Sequence, residues 1–224
     1  MTVTEALRAR TSIREFLSEP LSGALVREIL DVARWSPSGG NLQPWKVIAV
    51  AGAERDAVVE LAKRTLLENP SASEASEYPI YPEKLWDPYR SRRYDLGEQM
   101  YELLGIPRED KMARLGRFAR NYEFFGAPVG LFFVIDRRMG HGQWAHLGMF
   151  MQSIALAAVE RGVGSCMQEA WGAVRQTLGR HFSLPENEVL YCGMALGRPD
   201  AGAAVNRLRS SRAEVSEFAT FRGF

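Results

Sequence analysis

The stretch Ser36-Pro37-Ser38-Gly39-Gly40-Asn41-Leu42-Gln43-Pro44-Trp45 is the least interchangeable segment of this 224-residue chain. Two adjacent glycines stand between two prolines, with hydroxyl and amide side chains around them. Gly39 and Gly40 tolerate positive φ, and without a Cβ they let a ligand approach the backbone amides. Upstream, Ser22 is placed to cap a helix running to about residue 35, whose apolar stripe is Leu25, Val26, Ile29, Leu30, Val32 and Ala33. Downstream, W-K-V-I-A-V-A at 45–51 reads as a core strand. Composition alone makes the loop an ordinary helix-to-strand connection. Its meaning depends on the rest of the chain.

Composition narrows the function classes. The chain is 46% hydrophobic and 25% charged, enough to bury a substantial core, and its net charge of +1 leaves no electrostatic footprint for nucleic acid or an anionic membrane. Cys166 and Cys192 lie in apolar surroundings and the three histidines are scattered, which argues against zinc and fits a reducing, cytoplasmic compartment. The N-terminus lacks the apolar core of a signal peptide. The longest apolar run, Leu147 to Val159, is too short for a bilayer span.

Working outward, R-T-S-I-R-E-F at 10–16 alternates if extended, so that Arg10, Ser12 and Arg14 share a face. Two guanidiniums and a hydroxyl suit a phosphate, though a solvated basic turn has the same composition. After a helix over about 52–68, the segment 69–93 loses periodicity. It carries four prolines together with Tyr78, Tyr81, Trp86 and Tyr89. It is too long for a routine connection and too aromatic for a free tether, so a lid-like insertion at about 69–95 is expected, within a single domain of residues 1–224. Helices are expected over about 94–104 and 108–122, with Gly105 and Pro107 between them. A buried strand follows at 128–136, then a helix over about 143–161 that is apolar all round and so belongs in a core or a subunit interface. A short strand at 163–168, a helix over about 169–178 and a central strand at 187–196 complete the pattern. The tail from Arg198, with five arginines and three phenylalanines, reads as an arm wrapping a partner subunit. Helices outnumber strands and do not alternate with them one for one, which predicts an α+β fold.

No dinucleotide fingerprint, P-loop, nucleophile elbow or H-E-x-x-H is present. No histidine stands in an evident relation to a nucleophile, and no pair of carboxylates can be singled out. Any reactive chemistry therefore belongs to a bound cofactor.

Four segments in order, R-T-S-I-R-E-F at 10–16, S-P-S-G-G-N-L-Q-P-W at 36–45, G-V-G-S-C-M-Q-E-A at 162–170 and G-M-A-L-G-R-P-D at 193–200, resemble the FMN-dependent nitroreductase family. The resemblance runs from about Ala9 to Arg209. E-Y-P-I-Y-P and N-Y-E-F-F-G-A-P-V-G-L at 121–131 further resemble a bacterial branch that includes nitrobenzoate reductases. It implies a three-layer α/β/α subunit with a mostly antiparallel central sheet, in an intertwined homodimer with C-terminal arm exchange and two FMN sites at the interface. It implies that Arg10, Ser12, Arg14 and Arg207 hold the FMN phosphate and ribityl chain. Pro37, Ser38, Gly39 and Asn41 would line the isoalloxazine of the neighbouring subunit. The Gln168-Glu169-Ala170 turn would present backbone amides to flavin N5, with Ala170 standing where a glycine is common in the family. The implied reaction is ping-pong: NADH or NADPH delivers hydride to the flavin, and a nitroaromatic or quinone takes it. Tyr78, Tyr81, Trp86, Arg90 and Arg93 are candidate acceptor contacts, and Arg90, Arg92 and Arg93 are candidates for a substrate carboxylate. Glu74 and Tyr78 resemble part of the substrate clamp of a deiodinase-like branch, which keeps dehalogenation, enone reduction, flavin fragmentation or flavin binding without turnover as alternatives.

Overall fold

A computed structural model describes residues 1–68, 74 and 78–224 of the chain. A four-stranded, wholly antiparallel sheet runs in the order β1-β2-β4-β3, formed by β1 (Lys46–Ala51), β2 (Val129–Asp136), β3 (Gly164–Gln168) and β4 (Glu188–Gly197). The sheet is buried on both faces, so β2 and β4 read as nearly continuous apolar runs. Alternate residues serve opposite cores. Val129, Leu131, Phe133 and Ile135 face α2 (Gly23–Ala33) and α6 (His141–Glu160), meeting Ile29, Leu147, Phe150 and Ile154. Phe132, Leu190 and Ala195 face the other way, onto Val58, Phe124, Trp171 and Leu178. That second layer contains α3 (Gly52–Glu68) and α7 (Arg175–His181). The α+β, three-layer expectation holds.

Several boundaries differ from the sequence reading. β1 is an edge strand, half-exposed along its length, because β2 pairs with only one of its sides. The helix expected over 94–104 is α4 (Tyr89–Leu103), so Arg90, Arg92 and Arg93 ride on a helix and not in a loop. Pro107 does not start the following helix. Asp110 caps α5 (Lys111–Ala119) by accepting from the Ala113 amide, and a 3₁₀ stretch over Arg120–Gly126 takes up the rest. The helix expected over 169–178 is a 3₁₀ turn, Glu169–Val174, followed by α7. Ser22 caps α2 as expected, through the Leu25 amide. The segment is short of a full description: 69–73 and 75–77 lie outside the described residues, so the lid-like insertion is placed only from Tyr78 onward and at Glu74. Among the described residues no helix is long and apolar enough to cross a membrane. The short helices α1 (Val3–Ala9) and α8 (Val215–Phe218) lie toward the two ends of the chain.

Register shifts between Phe133 and Val134, leaving Tyr191 of β4 without a partner in β2. Such a bulge leaves a residue outside the ladder and redirects its side chain. The Tyr191 carbonyl accepts a 2.7 Å hydrogen bond from the Tyr78 hydroxyl, which ties the insertion to the sheet.

Candidate active site

The edge of the sheet beyond β3 is where the site begins. Ser12 makes a parallel bridge to Ser165, and the Ile13 amide donates to the Ser165 carbonyl at 3.0 Å. Residues 12–13 thus continue the sheet. Ile13 and Phe16 are buried, while Arg10 and Arg14 turn toward open space. Buried Asn206 fixes this segment: its Oδ1 accepts from the Arg14 and Glu15 amides at 2.8 and 3.2 Å, and its Nδ2 donates to the Glu15 carbonyl at 2.7 Å.

A cavity of about 270 Å³ opens here, lined by Arg8, Arg10, Ser12, Arg14, Arg209 and Arg212 among others. None of these five arginines has a carboxylate partner among the described residues. Burial, and after it the neighbouring Arg212, pushes the Arg10 guanidinium below its ordinary pKa. Cations gathered without counter-charge form a site that an anion relieves, and a phosphate accepts several such forks at once. Of the expected phosphate residues the structure brings together Arg10, Ser12 and Arg14. Arg207 is exposed and lies outside the cavity lining; Arg209 and Arg212 stand there instead. All three of these tail arginines are exposed, and with Asn206 and Leu208 buried beside them it is Arg209 and Arg212, not Arg207, that border the cavity.

Arg14 also lines a second cavity of about 690 Å³. Its walls include Met100, Tyr101, Phe118, Phe125, Met151 and Met167, with Asn121, Gln168, Glu169 and Ala170 supplying polar groups. A concave, mostly apolar space with a few polar groups is the usual form of a cofactor site. The Gln168–Ala170 turn is held hard in place. The Gln168 side chain, 1% exposed, donates to the Asn121 carbonyl at 2.8 Å and accepts from Trp171 Nε1 at 3.3 Å. Tyr122 donates to the Ala170 carbonyl at 3.1 Å. Trp171 itself lies over Gly193, where a Cβ would come within 2.4 Å of its ring. The Gln168 side chain is therefore committed to the fold. The amides of Glu169 and Ala170 open a 3₁₀ turn, where no preceding carbonyl of the turn can take them. Burial pushes the Glu169 carboxyl above the ordinary carboxylate range, against a hydrogen bond from Tyr191.

The remaining candidates divide. Pro37, Gly39 and Asn41 are exposed and Ser38 is half-buried; none lines either cavity. Their loop rests on α6, with the Gly39 amide 3.4 Å from His146 Nδ1, and Gly40 and Asn41 at positive φ. Tyr81 and Arg93 line the larger cavity. Tyr78 does not; its ring packs between Trp144 and Tyr191 beneath the Arg175 guanidinium. Trp86 and Arg90 are exposed outside the cavity, and Arg90 pairs with Asp87. Arg92 pairs with Glu217. Glu74 accepts from the Gln176 and Thr177 amides at the start of α7, so with Tyr78 it anchors the insertion. Cys166 and Cys192 are buried, and burial raises both thiols above their ordinary pKa, which leaves them unreactive. Among the described residues no cluster could hold a metal ion.

A three-layer subunit carries an arginine-ringed pocket and an apolar cleft that share Arg14 as a wall, an arrangement suited to an aromatic ligand with an anionic tail. The comparisons agree on its lineage: the Nitroreductase family model matches residues 7–198, and the chain belongs to the nitroreductase family. It is 35% identical over 219 residues to the nitrobenzene nitroreductase of Ectopseudomonas oleovorans, covering 98% of this chain and 96% of that protein. It is 35% identical over 216 residues to the 4-nitrobenzoate reductase of Pseudomonas putida, covering 96% and 93%. Among solved structures, the FMN- and NADPH-dependent nitroreductase NfnB from a Sphigopyxis strain superposes with a TM-score of 0.95 at 41% identity over the whole of both chains. The FMN-dependent NfnB of Mycobacterium smegmatis, crystallised with NADPH, gives 0.90 at 28% identity, covering 98% and 97%.

Proposed function

We propose that this chain is an FMN-dependent oxidoreductase that uses NADPH or NADH to reduce nitroaromatic acceptors. The observation that carries the reading is the pair of cavities joined at Arg14: five arginines without acidic partners at one end, an apolar cleft at the other. FMN fits that pair, its dianionic phosphate against Arg10, Arg14, Arg209 and Arg212 and its tricyclic ring in the cleft. The family membership and the FMN- and NADPH-dependent relatives support the same assignment.

When bound, FMN supplies the two-electron hydride chemistry that the side chains lack. The chain contributes position and environment. The arginines would hold and neutralise the phosphate. Met100, Tyr101, Phe118, Phe125 and Met151 keep water from the cleft, which strengthens every polar contact inside it. The amides of Glu169 and Ala170 are fixed donors, set by the hydrogen bonds of Gln168 and Tyr122 before any ligand arrives. The donor and the acceptor would take turns in the same cleft.

The protein would act in the cytoplasm as a homodimer. Residues 37–41 line neither of the two cavities described, and many apolar side chains remain exposed. The test is the cofactor. The wild-type protein is expected to purify with FMN and to oxidise NADPH on addition of a nitroarene. Arg10→Ala with Arg14→Ala is expected to lower FMN affinity by at least about tenfold with the fold retained by circular dichroism. Full flavin retention in that variant would overturn the phosphate assignment, and a yellow protein inert to every nitroarene would overturn the reaction.

A further inference from the structure

Three arginines of the insertion are close in sequence, and the structure separates them. Arg90 spends its charge on Asp87 and Arg92 on Glu217. Arg93 has no ion pair and no hydrogen bond among the described residues. It lines the larger cavity, its guanidinium carbon 4.4 Å from the centre of the Tyr81 ring. A guanidinium held over a ring face by a cation–π contact keeps N–H groups free to meet a carboxylate. Both side chains are exposed, and the contact with the ring lowers the entropy lost when a ligand arrives.

The other charges on the cavity wall are already assigned. Arg117 donates to Glu15 at 3.0 Å and to the Arg14 carbonyl. Arg14 borders the arginine-ringed pocket. Glu169 is engaged with Tyr191. Arg93 is therefore the one uncommitted cation of the wall that lies away from the phosphate end, among the described residues. It shares α4 with Met100 and Tyr101, which give the same wall an apolar and aromatic surface.

We propose that Arg93, stacked on Tyr81, is the specificity determinant for aromatic acceptors bearing an anionic substituent, with a ring carboxylate as the preferred group. The proposal rests on the reading of the cleft as the acceptor site. It makes the enzyme's preferred substrates nitroaromatic acids, with the ring lying against Tyr101 and Met100 and the carboxylate in the Arg93 fork. Arg93 does no chemistry; it orients the acid and supplies binding that a neutral nitroarene cannot use.

The test measures binding to the oxidised, FMN-loaded enzyme by perturbation of the flavin spectrum, so it does not depend on turnover. The ligands are 4-nitrobenzoate and nitrobenzene. The variants are Arg93→Gln, Arg93→Lys and, as a control outside the cavity, Arg90→Gln. Wild type is expected to bind 4-nitrobenzoate at least about tenfold more tightly than nitrobenzene, as a charge-assisted contact implies. Arg93→Gln should erase that preference, Arg93→Lys should restore part of it, and Arg90→Gln should keep it. Equal weakening of both ligands by Arg93→Gln would overturn the proposal, as would an unchanged preference. A second source of the same negative charge is the ribose phosphate of NADPH. If Arg93→Gln instead changes only the ratio of NADPH to NADH affinities, the fork serves the donor and the proposal fails. If the cleft binds both nitroarenes but none is reduced, the proposed reaction fails while the Arg93 assignment is still decided by the binding ratio.

Discussion

A single phenol shows how closely the site depends on its support. The Tyr78 hydroxyl donates to the Tyr191 carbonyl at 2.7 Å and receives a hydrogen bond from Arg175 at 3.3 Å. Burial raises its pKa from 10.0 to about 12, with Arg175 pulling the other way. The folded state therefore favours the neutral phenol. Its contribution to stability is complete below pH 10 and is lost as the pH rises through about 12, because only the unfolded chain can ionise at pH 10 without cost. Wild type is expected to lose stability over that window in urea titrations, and Tyr78→Phe to lose less of it. Below pH 10 the same variant should be less stable by about 1 kcal/mol, the usual worth of one hydrogen bond. A stability profile between pH 9 and 12 that is identical in the two proteins would refute this role. The sequence presented Tyr78 as a candidate acceptor contact because a tyrosine in an aromatic insertion has two plausible uses. Only the bulge at Tyr191, a one-residue slip in register that no composition records, selects the structural one.

At the scale of elements, α7 explains how the insertion is held. The helix has no capping side chain of its own. The Glu74 carboxylate, more than one hundred residues away in sequence, accepts from the Gln176 amide and at 3.0 Å from that of Thr177, where a negative charge also suits the helix dipole. Glu74→Ala is expected to lower the unfolding free energy by about 1–2 kcal/mol while leaving the FMN content unchanged. Thermal unfolding with flavin quantification checks both; loss of flavin at unchanged stability would return Glu74 to the active site. Legibility follows the same line. The Ser22 cap, the apolar strands and the Arg10-x-Ser12-x-Arg14 alternation are local, and they were readable because period and cap chemistry act over a few residues. That Arg207 stands outside the cavity is not legible locally, because it follows from the buried Asn206 holding Arg14 and Glu15. Arg90, Arg92 and Arg93 were indistinguishable in sequence because their partners, Asp87, Glu217 and Tyr81, are set by the fold.

For the whole molecule, much apolar side-chain surface is left uncovered. Neither α4 nor α5 buries a single residue within its own chain. Met112, 76% exposed, and Leu115 and Phe118 of α5 lie open, as do Trp35, 80% exposed, and Leu42 beside the Pro37–Asn41 loop. Helices without a fully buried residue draw limited support from packing, and an isolated helix of nine residues is marginal in water. Exposed apolar surface on this scale marks an interface. We infer that the chain folds as a homodimer in which the loop of one subunit closes the cleft of the other, which accounts for a glycine-rich segment that lines neither cavity of its own subunit. Leu42→Asp combined with Met112→Glu is expected to shift sedimentation from dimer toward monomer. Because the loop would then no longer reach its cleft, FMN affinity should fall in step with the monomer fraction, and dilution of the wild type should release flavin together with dissociation. Arg10 and its neighbours remain in each monomer, so inorganic phosphate should still protect the monomer against heat. A monomer that keeps FMN at wild-type affinity would show that the cleft is complete within one chain.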